Sequence, residues 1–267
     1  MFKKVAEHWK RYNPYALYAA KSELKGEVGN SYLTWAWWVL DPVLFMLVYV
    51  FITVVVFHSK GAYLPVVVII GLTVWNFFNK MLTISVKIVN TFRGIVSKIY
   101  IPKYMLIMEK MYVNLFKMLI SFGIVAAFAI AYGIPPTLRL LYCVPLVILL
   151  LFMSLSLCVL VAHFGVYMND LYNVVQVILR FLFYLSGVFY DVSERLSSAR
   201  VLGVSVGKLM VTVNPVAYII DEFRKIIIYG QGLRLELFLY WSVIAVFLLA
   251  LGLKLMYRHE NSYIKVV

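Results

Sequence analysis

Residues 140–163 decide the fold class: LLYCVPLVILLLFMSLSLCVLVAH. The run contains no Asp, Glu, Lys or Arg. An α-helix needs about 20 mostly apolar residues to cross the hydrocarbon core of a bilayer, and it satisfies its backbone hydrogen bonds internally. The run therefore predicts a transmembrane helix.

The composition of the whole chain agrees with this prediction. Of 267 residues, 64% are hydrophobic and 14% charged, whereas a soluble domain is roughly half apolar and a quarter charged. The formal net charge of +13 would suggest nucleic-acid binding in a soluble protein. In a membrane protein it indicates basic flanks that face anionic membrane lipids, so we expect no nucleic-acid partner.

Five more segments are long and apolar enough to span. The predicted spans are 35–57, 64–89, 105–132, 140–163, 174–190 and 237–257. The predicted fold class is an all-α integral membrane protein with six transmembrane helices. The second and third spans carry Lys80, Lys87, Glu109 and Lys110 in their shared half, so we expect both helices to project past one membrane surface.

Orientation follows from Lys and Arg in the short connections. The amino-terminal segment and the second connection, with Arg93, Lys98 and Lys103, are basic. Both termini are therefore predicted to be cytoplasmic. The fifth connection, 191–236, is also basic, but an even number of spans and its alternating acidic residues place it outside.

The chain divides into residues 1–31 and a membrane domain, 32–267. In the first part, apolar residues recur at helical spacing opposite basic ones: Phe2, Val5, Trp9 and Tyr12 against Lys3, Lys4, Lys10 and Arg11. This pattern predicts an amphipathic helix in the membrane interface, interrupted at Pro14. Such a helix is either a membrane anchor or a docking surface for a cytoplasmic partner.

The fifth connection contains two short apolar pieces, 201–213 and 217–229, separated by Asn214-Pro215. Neither piece is long enough to span. Non-helical backbone at membrane depth is tolerated only where protein or a water-filled cavity covers it. We therefore expect two short re-entrant or interfacial helices outside the cell.

The sequence provides no catalytic or metal-binding pattern. Gly203-Val-Ser-Val-Gly207-Lys208-Leu209 has one residue too few between its glycines for a phosphate loop, and Leu replaces the magnesium-binding Ser or Thr. Cys143 and Cys158 lie in one apolar run without a metal-ligand spacing, so we interpret them as packing residues. We expect no enzyme activity in this chain.

Ionisable and aromatic residues within the spans are the remaining candidates. Arg180 lies about two turns into the fifth span. It either attracts an anionic lipid phosphate or has a structural role, in which it pairs with Asp170 or caps backbone carbonyls. Aromatic residues that either stack on sugars along a pathway or pack within the protein are Phe183, Tyr184, Tyr190 and Trp38. Both interpretations stay open for each.

The order of motifs resembles a known family. The motifs are Glu23-Leu-Lys25, Ser31-Tyr-Leu33, Trp38, Asp41-Pro42, Ile101-Pro-Lys103, Asn169-Asp170, 183–190 (FYLSGVFY), Asn214-Pro215, Phe223-Arg224 and Gly230. In this order they resemble the permease subunits of ABC-2 type exporters of polysaccharides and teichoic acids. Residues 165–180 are most similar to the teichoic acid translocation permease, which favours that substrate over O-antigen or capsular polysaccharide. Asn169 and Gly187 depart from the family pattern.

The resemblance implies a homodimer bound to two copies of a separate ATPase that holds ATP and Mg, with no cofactor in this chain. It implies an ATPase-coupling helix at 92–103, with a second contact at 167–172; the residues concerned are Phe92, Arg93, Lys98, Ile101, Lys103, Asn169 and Asp170. A lipid-linked glycan would pass between facing first and fifth spans, from the cytoplasm to the outer face of a bacterial plasma membrane.

Four alternatives stay open. A purely structural membrane protein is one, although it would not readily explain the basic connection and the amphipathic outer loop together. An ABC-2 permease for a drug or small lipid would share the span count, although it would more often carry a large external domain between the first two spans. An ion-coupled secondary transporter would show repeated halves with broken helices. A membrane-embedded transferase would need clustered carboxylates, or a nucleophile with its base.

Overall fold

A computed structural model describes residues 2–29, 33–56, 58, 61, 63–96, 98, 100–168, 170–191, 200–201, 204–259 and 263. The helices are α1 Phe2–Gly29, α2 Thr34–Phe51, α3 Leu64–Val86, α4 Ile88–Thr91, α5 Arg93–Val96, α6 Lys103–Ala131, α7 Cys143–Tyr167, α8 Leu171–Leu185, α9 Val206–Val213, α10 Pro215–Ile227 and α11 Leu235–Arg258. A π-helical turn, Ile52–Val56, extends α2, and a 3-10 helix, Leu138–Tyr142, precedes α7. Strands β1 (Arg200–Val201) and β2 (Val204–Ser205) pair antiparallel.

Five segments in the described part of the chain are long and apolar enough to cross a membrane: Trp35–Val55, Leu64–Val86, Lys103–Ala131, Leu138–Tyr167 and Leu235–Arg258. They coincide with five of the six predicted spans, and this part of the prediction is confirmed. The fifth predicted span corresponds to α8, which has 15 residues. At 1.5 Å per residue, α8 is about 22 Å long, shorter than the roughly 30 Å hydrocarbon core.

The fifth predicted span is not helical up to its predicted end at residue 190. The helix ends at Leu185, and Gly187 takes a positive φ of 65° that a helix does not allow. The following backbone packs closely on α3, because a Cβ on Gly71 would collide with the carbonyl oxygen of Val188. Together with the hydrogen bond from Gln176 to Thr83, this contact makes α8 and its continuation run antiparallel along α3.

Helix α3 forms the centre of the bundle. It packs against α2, α6, α7, α8 and α10, and most of its side chains are buried. Gly165 on α7 allows the closest approach, since a Cβ there would collide with the carbonyl of Val86. Helix α11 packs mainly on α7, so the core is a helix-on-helix arrangement around α3 and α7.

The fifth connection folds onto this core. In the first apolar piece, Val201 and Val204 belong to the paired strands, so its helix starts at Val206 rather than at residue 201. Helix α10 matches the second piece, and it begins where the Oδ1 of Asn214 accepts hydrogen bonds from the backbone N–H groups of Val216 (2.9 Å) and Ala217 (3.3 Å). Pro215 fits the first position of a helix, where no donor is needed. Almost every side chain of α10 is buried against α3 and α7.

Helix α1 is continuous through Pro14, so the predicted interruption there is wrong. It packs against α6 on the carboxyl-terminal side of the proline, and His8, on the other side, contacts the hydroxyl of Tyr257 at the end of α11 (3.0 Å). These contacts hold both halves in one helix, although proline removes one backbone donor.

Candidate functional site

A polar groove runs along one side of the bundle. Its first part is a cavity of about 570 Å³ between α1, α2, α3 and α6. Four charged residues face it, one from each helix: Glu27, Asp41, Lys80 and Lys117. Trp37 and Trp38 line its edge, together with the amides of Asn76, Asn79 and Asn114.

The second part is a cavity of about 360 Å³ between α2, α3 and α8. It shares Phe45, Asn76 and Asn79 with the first cavity, so the two form one groove along α3. Gln176 and Arg180 supply the polar groups of α8. We refer to the two cavities together as the α3 groove.

The sequence motifs did not predict the α3 side of this groove. The residues are Thr73, Asn76, Lys80 and Thr83, which recur at spacings of three, four and three and therefore lie on one helix face. This polar stripe within a mostly buried helix was the signal available from the sequence. Lys80 was noted there only as a charge near the membrane surface.

Four of the five predicted pathway residues line the groove. Trp38 lines the first cavity, while Arg180, Phe183 and Tyr184 line the second. Tyr190 is in neither; its hydroxyl donates to the carbonyl of Tyr184 (3.1 Å). The structure therefore places four of the five predicted pathway residues along one groove.

These pathway residues differ in their exposure and in their contacts with other side chains. Arg180 and Tyr184 are exposed, Tyr184 by 67%, and neither Arg180 nor Asp170 forms an ion pair among the described residues. The Asp170–Arg180 pair considered from the sequence is therefore not formed. Phe183 packs against Trp75 (5.3 Å between ring centroids) and Phe189 (4.8 Å), which favours packing for this side chain.

At the far end of the groove, Arg224 holds the chain after α8 in place. The Arg224 side chain is fully buried on α10. Its Nε and Nη2 donate to the carbonyl of Val67 (3.1 and 2.9 Å), and Nη2 also donates to Val188 (2.7 Å). Its Nη1 donates to Gly187 (2.7 Å) and Tyr190 (2.8 Å). One guanidinium therefore joins α3, α10 and the irregular segment 186–190.

The acidic residues of α10 bind the neighbouring cations. Arg234 pairs with Asp221 (2.6 Å) and with Glu222, and Lys225 also pairs with Asp221 (3.0 Å). Partial burial alone would lower the pKa of Arg234, but the two carboxylates outweigh it and hold that pKa above its ordinary value. Three cations of the fifth connection are thus neutralised or buried within the fold.

The second connection presents two exposed cations. Arg93 and Lys98 are at the surface, whereas Ile101 and Lys103 are buried and Phe92 is half-buried. The helix in this region is short, since α4 and α5 have four residues each. Asp170 is exposed, and Asn169 lies outside the described residues.

The two predicted coupling segments lie near the same ends of α3 and α6. The Nζ of Lys87, just after α3, lies 4.1 Å from the ring centroid of Tyr172 at the start of α8. The Nζ of Lys110 on α6 lies 5.2 Å from the ring centroid of Phe92. The two segments that were predicted to face the cytoplasm therefore lie at one end of the bundle.

Ion pairs fasten α1 to the same end. Glu23 lies 2.7 Å from Lys110, and Glu27 lies 2.7 Å from Lys117. Of the predicted interface residues, Lys10 and Arg11 are exposed, Trp9 is 39% exposed, and Phe2 is the first residue of α1. Lys110 thus contacts both α1 and the second connection.

Within the described residues, no group of three His, Cys, Asp or Glu side chains is placed to hold a metal. Cys158 is buried and Cys143 half-buried, and both are free thiols.

Comparison with known proteins defines the class. The profile of the ABC-2 type transporter family matches residues 17–228, so the chain belongs to this family of membrane transporters. It is 26% identical over 204 residues to the O-antigen export system permease protein RfbA of Myxococcus xanthus, covering 76% of each chain. It is also 23% identical over 212 residues to an O-antigen export system permease protein RfbA of Klebsiella pneumoniae, covering 78% of each. Membership implies an ABC ATPase as partner in an export system.

Proposed function

We propose that this chain is the transmembrane subunit of an ATP-driven exporter that moves a lipid-linked polysaccharide from the cytoplasm to the outer face of a bacterial plasma membrane. The α3 groove carries the proposal. It joins charged and amide groups with exposed aromatic rings along one side of the bundle, which suits a substrate that has a charged head and a chain of sugar hydroxyls.

The proposed topology has six spans and two cytoplasmic termini. Helix α8 is short, but with segment 186–190 it follows α3 from Thr83 to Gly71. That path supports a sixth crossing completed by non-helical backbone, which Arg224 and α10 cover from lipid. We propose that α9 and α10 are the external re-entrant helices.

The energy would come from the partner. We propose a homodimer of this chain with two ATPase subunits, which bind ATP and Mg, seated on Arg93, Lys98 and the exposed Asp170. Movement of the second connection would reach α1 through Lys110, because that side chain contacts both Phe92 and Glu23. The groove wall formed by α1 would then respond to the nucleotide state.

We propose that the transported polymer is of the O-antigen type. The named relatives are O-antigen permeases, and this favours a lipid-linked O-antigen type of polysaccharide. Teichoic acid rests on the resemblance of residues 165–180 alone. Purified complexes supplied with either polymer on its lipid carrier would distinguish them, since the transported substrate should stimulate ATP hydrolysis.

The first experiment is co-purification with candidate ATPase subunits, comparing the parent chain with Arg93→Glu/Lys98→Glu. Each reversal turns an attraction to an acidic partner surface into a repulsion, which costs several kcal/mol at an interface. We expect the double variant to lose the complex and its ATPase activity. Lys208→Glu is the matched control, because this exposed lysine lies at the opposite end of the bundle.

If no ATPase binds the parent chain, and the chain alone moves a solute down an ion gradient, the exporter proposal is wrong and a secondary transporter replaces it.

A further inference from the structure

The first cavity of the α3 groove contains a cation without an ion-pair partner. Lys117 on its wall is neutralised by both carboxylate oxygens of Glu27 (2.8 and 2.7 Å). Lys80, in contrast, forms no hydrogen bond or ion pair within the part of the chain that the structure describes. Lys80 lines the cavity of about 570 Å³ together with Asn76 and Asn79.

The position of Lys80 along α3 suggests where this cation lies in the membrane. Lys80 is six residues before the end of α3 at Val86, about 9 Å at 1.5 Å per residue. Asp41 is seven residues after the start of α2, so the same end of the bundle is also about 10 Å away along that helix. Trp37 and Trp38 mark this level, since tryptophan prefers the boundary between headgroups and hydrocarbon.

A lysine at this level is costly unless it faces protein partners, water or an anion. The anions abundant at the boundary are the phosphates of lipids. A phosphate offers several acceptor oxygens, which match the three donors of an ammonium and the N–H₂ groups of two asparagines.

We infer that Lys80, Asn76 and Asn79 form a binding site for the phosphate group of a lipid in the cytoplasmic half of the membrane. Under the proposed function, on which this assignment of the ligand rests, the phosphate belongs to the carrier of the lipid-linked polysaccharide. The site holds the carrier's head at the foot of the groove that leads to Arg180.

Asp41 lines the same cavity, and its negative charge repels an anion bound there. The two residues should therefore affect phosphate affinity in opposite directions. The neutral variant Asp41→Asn should bind phosphate more tightly, while removal of the Lys80 charge should weaken binding.

The test uses the purified full-length chain in non-ionic detergent and isothermal titration calorimetry with farnesyl diphosphate, a short polyprenyl diphosphate. Loss of a charge-assisted hydrogen bond weakens binding by about 10- to 100-fold. We expect Lys80→Gln to lose about tenfold or more, Lys80→Arg to stay within a few-fold of the parent, and Asp41→Asn to gain several-fold. Farnesol, which lacks phosphate, should be insensitive to all three variants.

Lys87→Gln is the matched control, because Lys87 lies just beyond the end of α3 and does not line the cavity. Monodisperse gel filtration of each variant shows that the fold survives. If folded Lys80→Gln binds farnesyl diphosphate as tightly as the parent, the inference is overturned.

A second titration with dioctanoyl phosphatidylglycerol separates the two sources of lipid phosphate. Lys80-dependent binding of farnesyl diphosphate alone assigns the site to the carrier, and equal dependence for both lipids supports a general lipid-phosphate site. Because this assay needs no ATPase, Lys80-dependent binding in a chain that recruits no ATPase would keep the phosphate site and reject only the exporter.

Discussion

Replacing Arg224 by Met should destabilise the protein strongly. The guanidinium donates five hydrogen bonds to four backbone carbonyls, those of Val67, Gly187, Val188 and Tyr190. The last three carbonyls belong to the non-helical segment after α8. Met fills a similar volume but offers no donor.

The magnitude follows from these carbonyls. Val67 lies within α3, so its carbonyl keeps its helix hydrogen bond. A buried acceptor without a partner costs about 1–3 kcal/mol, so the three carbonyls of the segment after α8 would cost roughly 3–9 kcal/mol if none found another donor. Water recovers part of this, and removal of a buried charge returns its desolvation cost. We expect a net loss of about 3–5 kcal/mol in the free energy of unfolding.

The assay is thermal unfolding of the detergent-solubilised chain followed by intrinsic fluorescence. On the scale of about 2–4 °C per kcal/mol for chains of this size, the Tm should fall by about 6–20 °C. The Tm of Arg224→Lys should lie between those of the parent and Arg224→Met, because one ammonium cannot reproduce the planar guanidinium that reaches all four carbonyls.

Arg180→Met is the control, since Arg180 is an exposed arginine on the neighbouring α8, and its Tm should change by about 2 °C or less. An Arg224→Met chain that melts within this same small range would refute the reasoning, because the segment after α8 would then be held by other contacts.

Three further changes test the packing around the groove. Gly165→Ala should lower the Tm and the yield, because its Cβ would collide with the last carbonyl of α3, whereas Gly123→Ala, with open space at its Cβ, should not. Asn214→Ala should lower the free energy of unfolding by about 0.5–2 kcal/mol, because it removes the cap of α10. Asn214→Asp should retain most of the stabilisation that the cap provides. If thermal unfolding shows equal losses of stability for both variants, the cap is not the cause. Glu27→Lys should expose α1 to protease by repelling Lys117, and adding Lys117→Glu should restore protection, since the pair is rebuilt with opposite signs; failure of the second change to rescue would show that the ion pair does not hold α1.

The cations of the fifth connection have partners within the fold that the sequence did not indicate. The Lys and Arg count of this loop conflicts with an external position. In the structure, Arg224 binds backbone carbonyls, and Arg234 and Lys225 bind the carboxylates of α10. A charge count assumes that each cation is free to interact with lipid, and these three are not.

The sequence by itself determined the membrane class and five of the spans, because a long apolar run has one stable environment and a helix satisfies its own backbone there. It also determined α10, since Asn214-Pro215 is a local start signal. These features depend on neighbours in the chain.

Only the tertiary structure decided the early end of α8, the continuity of α1 through Pro14, and the convergence of Glu27, Asp41, Lys80 and Lys117 in one cavity. Each depends on contacts between residues far apart in sequence. The segment after α8 can leave the helix because Arg224, 34 or more residues later, supplies its hydrogen bonds. No local pattern encodes that partnership, because only packing of α10 against α3 brings the donor to its acceptors.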